Sequence, residues 1–158
     1  MKILHEALTQ LVLACAVPGL PSDLIEAVIM TESAGYAYAV SGSYEYSDYH
    51  LLPDSRDTKH YAIALSEASL QHNVNISIGL MQVNSWHIRR MGASVSTVID
   101  PCNNVLIGSS ILKEITDRVC GQSMTPECID ASLRQYNTGR TAPSKAGEAY
   151  VEKVRRHL

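Results

Sequence analysis

The chain has 158 residues, of which 46% are hydrophobic and 18% are charged. These proportions are those of an ordinary globular protein and exclude a disordered chain. The formal net charge of −3 argues against nucleic acid as a partner. The sequence contains no run of 18 apolar residues, so no stable insertion into a membrane is expected.

Apolar residues at helical spacing predict seven helices, and no stretch shows the sustained alternation that a large sheet requires. The helices are predicted near residues 3–16, 22–33, 59–73, 84–91, 101–119, 126–136 and 144–157. Asp100 and Thr125 each precede a proline, which is a typical helix start, while Gly92 and Gly121 are typical stops. We therefore expect one all-α domain over residues 1–158, with at most a minor β element and a long polar loop at about 42–58.

Glu32 lies where a carboxylate is least expected on its helix. The apolar stripe of the predicted helix 22–33 runs through Ile25, Val28 and Ile29, and Glu32 occupies the next position on it. Burial and the partial negative charge at a helix C-terminus both disfavour the anion, so the pKa of this carboxyl should be raised. A raised pKa suits a general acid at neutral pH. The alternative is a glutamate at a frayed helix end that faces water.

The four cysteines are Cys15, Cys102, Cys120 and Cys128, and they show no C-x-x-C spacing. A zinc site is therefore not expected. An even count in a small domain is compatible with two disulfides in an oxidising compartment, although buried free thiols are an alternative for the first two. The apolar stripes and a short turn favour the pairs Cys15–Cys102 and Cys120–Cys128. Four cysteines nevertheless allow three pairings.

Three short segments indicate which chemistry the chain performs. They are Thr31-Glu32-Ser33, the turn Gly79-Leu80-Met81-Gln82, and Tyr136-Asn137 before Gly139. In this order, on an α-rich chain, they resemble the lysozyme-like lytic transglycosylases over roughly Cys15 to Val154. The wide insert between Ser41 and Ser77 and the Asp100-Pro101-Cys102 turn are most similar to the transglycosylases of type IV secretion and conjugation systems. The related transglycosylases of type III secretion and type IV pilus systems are similar enough to stay alternatives.

The resemblance implies a lysozyme-like fold and a role for each motif residue. Glu32 would be the catalytic acid and base, and Ser33 would orient the bound sugar. Gln82 would hydrogen-bond substrate, at a turn where Gly79 allows a close backbone approach or a positive φ. The hydroxyl of Tyr136 would reach Glu32 or the glycan, a core tyrosine being the alternative. The other substrate contacts implied are Ser41, Leu80, Met81 and Asn137, the last with a helix cap as its alternative.

The implied reaction cleaves the β-1,4 bond between N-acetylmuramic acid and N-acetylglucosamine and forms a 1,6-anhydro sugar. One carboxylate is enough for it, and no metal or cofactor is required. The implied partners are peptidoglycan glycan strands, and the resemblance extends to components of a secretion or conjugation machine. The implied location is periplasmic or secreted, although the apolar stretch at the N-terminus continues as the amphipathic helix predicted at 3–16 and is not a convincing leader.

Two alternative functions stay open. Glu45, Asp48 and Asp54 lie in the insert. If Glu45 or Asp48 folds back over the cleft it could position a water, which would make the enzyme a hydrolytic lysozyme of the same fold. A catalytically weak, glycan-binding structural subunit is the third hypothesis. The loop with Tyr44, Tyr46 and Tyr49 is expected to line the glycan groove, with an unstructured tether as the alternative.

Overall fold

A computed structural model describes residues 1–42 and 58–158 of the chain. The polar loop predicted at about 42–58, including its tyrosines and carboxylates, lies almost wholly outside the described residues. Within them the chain forms eight helices and three short strands. In chain order these are α1 (His5–Cys15), α2 (Ser22–Ser33), β1 (Val40–Gly42), α3 (Lys59–Gln71), β2 (Ile76–Ile78), β3 (Val83–Asn84), α4 (Ser85–Met91), α5 (Val95–Val98), α6 (Pro101–Cys120), α7 (Pro126–Thr138) and α8 (Lys145–Arg155).

The predicted starts and stops of the helices are confirmed. The side chain of Asp100 accepts a hydrogen bond from the backbone nitrogen of Asn103 at the start of α6, and Thr125 caps α7 in the same way. Gly92 and Gly121 end α4 and α6 with φ values of 60° and 59°. All seven predicted helices are present, and the short helix α5 is an eighth that the sequence did not predict.

The three strands form a small antiparallel sheet in the order β1-β2-β3. Strands of two or three residues are too short to produce a visible alternation, which is why the sequence predicted at most a minor β element. Ser41 pairs with Ser77, and Ser77 pairs with Asn84. Residues that face one another across a sheet project to the same side. The sheet therefore places three polar side chains in one row.

Two clusters of buried apolar side chains form the core. The first joins α1 and α2 to α6, α7 and α8, with Leu8, Ile29, Leu112 and Val154 among its members. The second packs the sheet against α3, α4 and α5, around residues such as Ile78. The cleft described below takes its lining from elements of both clusters, so each cluster fixes one side of it.

Both predicted disulfides are present. Cys15–Cys102 joins the end of α1 to the start of α6 across 87 residues of chain, and Cys120–Cys128 joins the end of α6 to the start of α7 across 8 residues. In the described part of the chain, no helix combines the length and the apolar character needed to cross a membrane.

Candidate active site

Glu32 lies at the penultimate position of α2, directly after the buried stripe that predicted its environment. Its carboxyl is half-buried and lines a cleft, so it is not the solvated side chain of a frayed helix end. Burial raises the pKa of Glu32 from 4.5 to about 7, while a hydrogen bond from Tyr150 and the charge of Lys153 act in the opposite direction. The predicted rise is confirmed, and burial is its main cause.

Tyr150 is the partner of Glu32 that the motifs did not predict. Its hydroxyl donates to Oε1 of Glu32 at 2.6 Å, across 118 residues of chain. The ring is 5% exposed on α8. Burial, followed by the nearby Glu32 charge, raises the pKa of Tyr150 well above 10, so the hydroxyl stays protonated as a donor. The only sequence signal was its place on the buried stripe of α8 with Val151 and Val154.

Tyr136 has a different partner from the one predicted. Its hydroxyl donates to the backbone oxygen of Met81 at 2.8 Å, and no hydrogen bond joins it to Glu32. Burial raises the pKa of Tyr136 well above 10, and the charge of Glu32 adds to this effect, so the ring stands close to the carboxyl. Tyr136 therefore ties α7 to the Gly79–Gln82 turn while its ring lines the cleft.

The Gly79–Gln82 turn depends on a glycine, as predicted. Gly79 has a φ of 82°, and a Cβ at this position would lie 2.1 Å from Nδ2 of Asn104. Asn104 is fully buried on α6. Its Oδ1 accepts from the backbone nitrogen of Met81 at 2.8 Å, and its Nδ2 donates to the backbone oxygens of Ile78 at 3.0 Å and Val98 at 2.9 Å. Asn104, which the sequence did not single out, thus holds the turn in place.

Three residues predicted to bind substrate are buried and do not line the cleft. Leu80 and Met81 are 0% exposed and belong to the hydrophobic core. Ser33 is also buried, and its hydroxyl donates to the backbone oxygen of Ile29 at 3.1 Å within α2. None of these three side chains lines the cleft, and their roles in substrate binding stay predictions. Met81 contributes through its backbone, which both Asn104 and Tyr136 engage.

Gln82 and Ser41 both line the cleft and hydrogen-bond to each other. Nε2 of Gln82 also donates to the backbone oxygen of Gly79 at 2.9 Å. The side-chain amide therefore braces the turn against β1 as well as facing the cleft. Asn137 is exposed in the cleft, and α7 continues to Thr138, so Asn137 is not the helix cap.

The cleft has a volume of about 410 Å³. It brings together Glu32, Ser41, Gln82, Tyr136 and Asn137 from the predicted set. The sequence missed Ser77 and Asn84 from the polar row of the sheet, and Trp86, His87 and Ile111 from α4 and α6. Trp86 is 56% exposed at the edge of the cleft, where its ring can stack on an apolar sugar face. Glu32 carries the only carboxylate among the described lining residues. Residues 1–42 and 58–158 contain no cluster of His, Cys, Asp or Glu that could hold a metal ion.

Comparison with known proteins assigns this arrangement to a family. The chain is 36% identical over 107 residues to "Invasion protein IagB" of Salmonella typhimurium, covering 60% of this chain and 62% of the relative. It is 32% identical over 101 residues to "Type IV secretion system protein virB1" of Brucella abortus, covering 59% of this chain and 42% of the relative. The chain thus spans less than two thirds of the length of these curated relatives. No solved structure matches significantly. Residues 14–157 match the family described as the Transglycosylase SLT domain, and the chain therefore belongs to that family, with the lysozyme-like fold that its motifs predicted.

Proposed function

We propose that this chain is a peptidoglycan lytic transglycosylase domain. It cleaves the β-1,4 bond between N-acetylmuramic acid and N-acetylglucosamine and leaves a 1,6-anhydro end on the muramic acid. The observation that carries the proposal is the Glu32 carboxyl, which lines the cleft with a pKa raised to about 7. A group with this pKa is present in both protonation states near neutral pH, so it can donate a proton in one step and accept one in the next.

The proton balance of the reaction needs one such group. Protonated Glu32 gives its proton to the glycosidic oxygen as the bond to C1 breaks, and the departing N-acetylglucosamine leaves with a free hydroxyl. The acetamide of the muramic acid stabilises the positive charge that develops at C1. The Glu32 carboxylate then removes the proton of the C6 hydroxyl while that oxygen bonds to C1. Glu32 ends the cycle protonated, and no water is consumed.

Other described residues support this assignment. Tyr150 donates to Oε1 and thereby orients the Glu32 carboxyl, because a buried phenol has no competing water at that position. Ser41, Gln82 and Asn137 line the cleft, where we expect their polar atoms to contact the acetamido and hydroxyl groups of the glycan. The single carboxylate of the described lining favours attack by the substrate's own hydroxyl over attack by a positioned water.

The products released from purified peptidoglycan test the proposal. Mass spectrometry should detect muropeptides with anhydro ends, each lighter by one water than the product of hydrolysis. Glu32→Gln should reduce their release by about 10²- to 10⁴-fold. The matched control is Glu26→Gln, the same change on the same helix at a side chain that bonds Thr9 outside the cleft. Reducing ends would establish hydrolysis instead. Equal wall clearing by wild type and Glu32→Gln would refute any mechanism centred on Glu32, whereas loss of clearing with retained binding would support it.

We further propose that the protein acts in the periplasm or outside the cell, where it opens the wall locally for a secretion or conjugation machine. Two disulfides suit an oxidising compartment, and the names of the relatives refer to invasion and to type IV secretion. Thiol alkylation in whole producing cells tests the compartment. All four cysteines should resist alkylation until a reductant is added, whereas four freely labelled thiols would refute the location.

A further inference from the structure

A second groove, of about 360 Å³, adjoins the cleft. Trp86, His87, Ile111 and Tyr136 line both spaces, so the two are continuous along α4 and α6. Nothing in the glycosidic chemistry uses this second space. A substrate group that leaves the cleft past Trp86 and Ile111 would enter it.

The second groove is lined by charged side chains. Arg90 and Arg118 supply two cations, and Glu114 supplies one carboxylate. Arg90 stacks over the ring of Trp86, with its guanidinium 5.1 Å from the ring centroid. Arg118 lies 3.9 Å from Glu114 in a loose ion pair, and both side chains are more than half exposed. Neither arginine is thus enclosed in a buried pair, and the donors of both remain open to an anion.

The spacing of these charges along α6 matches the reach of a short peptide. With a rise of 1.5 Å per residue, Glu114 lies about 5 Å and Arg118 about 10 Å beyond Ile111 along the helix. An extended peptide advances about 3.3–3.6 Å per residue. Three residues of peptide therefore span from the shared wall at Ile111 to Arg118.

We propose that the second groove binds the peptide that peptidoglycan carries on the lactyl group of muramic acid. This inference rests on the proposed function. The peptide contains free carboxylates, which Arg90 and Arg118 recognise, and it can carry an amino group, which pairs with Glu114. A continuing stretch of sugars is the competing occupant. It offers at most one lactyl carboxylate on each peptide-free muramic acid, whereas the peptide offers several charged groups along its length to Arg90, Arg118 and Glu114. The groove makes the enzyme selective for strands that still bear their peptides.

The first test compares kcat/KM on peptide-bearing strands with kcat/KM on strands stripped of peptides by an amidase. The wild-type ratio is expected to exceed one. Arg118→Gln and Arg90→Gln should each lower this ratio about two- to fivefold, the range for an exposed charge contact. Arg156→Gln is the matched control, because Arg156 and Glu152 form an exposed i,i+4 pair like that of Arg118 and Glu114. An equal ratio in wild type and both groove variants overturns the inference.

A second measurement does not depend on catalysis. Trp86 is the only tryptophan of the chain, so its fluorescence reports binding at the shared wall. In the Glu32→Gln background, a soluble disaccharide-peptide should bind more tightly than the peptide-free disaccharide, and Arg118→Gln should remove that difference. If Arg118→Gln weakens a longer peptide-free strand equally, the groove binds sugars and the inference fails.

The two proposals fail in different ways. Anhydro products without any preference for peptide-bearing ligands would refute the groove assignment and leave the lytic reaction standing. A preference in binding, with no anhydro products from the active protein, would refute the reaction and leave the groove assignment standing.

Discussion

Changing Glu32 to glutamine should alter how the stability of the protein depends on pH. The fold holds the pKa of Glu32 at about 7, against 4.5 for the unperturbed group. Between these two values the folded protein keeps a proton that the unfolded chain has released. The free energy of unfolding therefore falls as the pH rises through this window and levels off above it. Glutamine has nearly the same shape, can accept the hydrogen bond of Tyr150 and carries no charge.

The size of the effect follows from the width of that window. At 1.36 kcal/mol per pKa unit, a rise from 4.5 to about 7 corresponds to about 3 kcal/mol. This is a large part of the net stability of a domain of this size, which is about 5–15 kcal/mol. An ionised Glu32 in the cleft therefore lowers the free energy of unfolding by a measurable amount, and the uncharged Glu32→Gln variant lacks this penalty.

Urea unfolding followed by circular dichroism, with both disulfides intact, measures the effect. Wild type and Glu32→Gln are compared from about pH 4 to about pH 8, and other titrating groups cancel because both proteins contain them. The difference in unfolding free energy should shift in favour of the variant by about 3 kcal/mol across this range. A difference that stays constant with pH would refute the raised pKa, and a shift towards wild type would show that the fold prefers the anion.

Three further changes test the surroundings of Glu32. Tyr150→Phe removes the donor that lowers the pKa of Glu32, so the alkaline limb of the pH–rate profile should move to higher pH. Tyr136→Phe should leave the position of that limb in place, and an identical shift in both variants would contradict the assigned hydrogen bond. Asn104→Leu leaves one amide and two carbonyls without their partner in the interior and should lower the free energy of urea unfolding by about 3 kcal/mol or more. Gly79→Ala puts a methyl 2.1 Å from the Asn104 amide at a positive φ, and thermal unfolding should show a loss of about 2–4 kcal/mol; unchanged melting would contradict the close approach.

The features that the sequence predicted correctly are periodic or local. The stripe of Ile25, Val28 and Ile29 predicted the environment of Glu32, because side chains four residues apart share a helix face. The requirement at Gly79 was predicted because only glycine takes a positive φ at low cost. The Cys15–Cys102 pair was favoured because each cysteine continues an apolar stripe, and two stripes that form one core must meet.

The features that the sequence missed depend on which elements meet in space. The bond from Tyr150 to Glu32 joins α8 to α2, and periodicity predicts that both residues are buried but not that they touch. Asn104 could not be identified as the support of the turn, because three elements converge on it. Leu80 and Met81 were assigned to the substrate because they belong to a motif. Membership in a motif does not show whether a side chain faces the cleft or the core. The side chains of Leu80 and Met81 pack in the core, while Gln82 lines the cleft.

The Cys15–Cys102 cross-link affects when the protein becomes stable. In the chain-entropy model, a bridge across 87 residues contributes about 4–5 kcal/mol to the free energy of unfolding. That contribution is absent while the thiols stay reduced, so the reduced chain is easier to unfold than the oxidised protein. Formation of the bridge then fixes the start of α6, and with it Asn104 and the turn that presents Gln82. Urea titrations with and without reductant measure this difference in the free energy of unfolding. Equal unfolding midpoints in the two conditions would show that forming the bridge does not change stability.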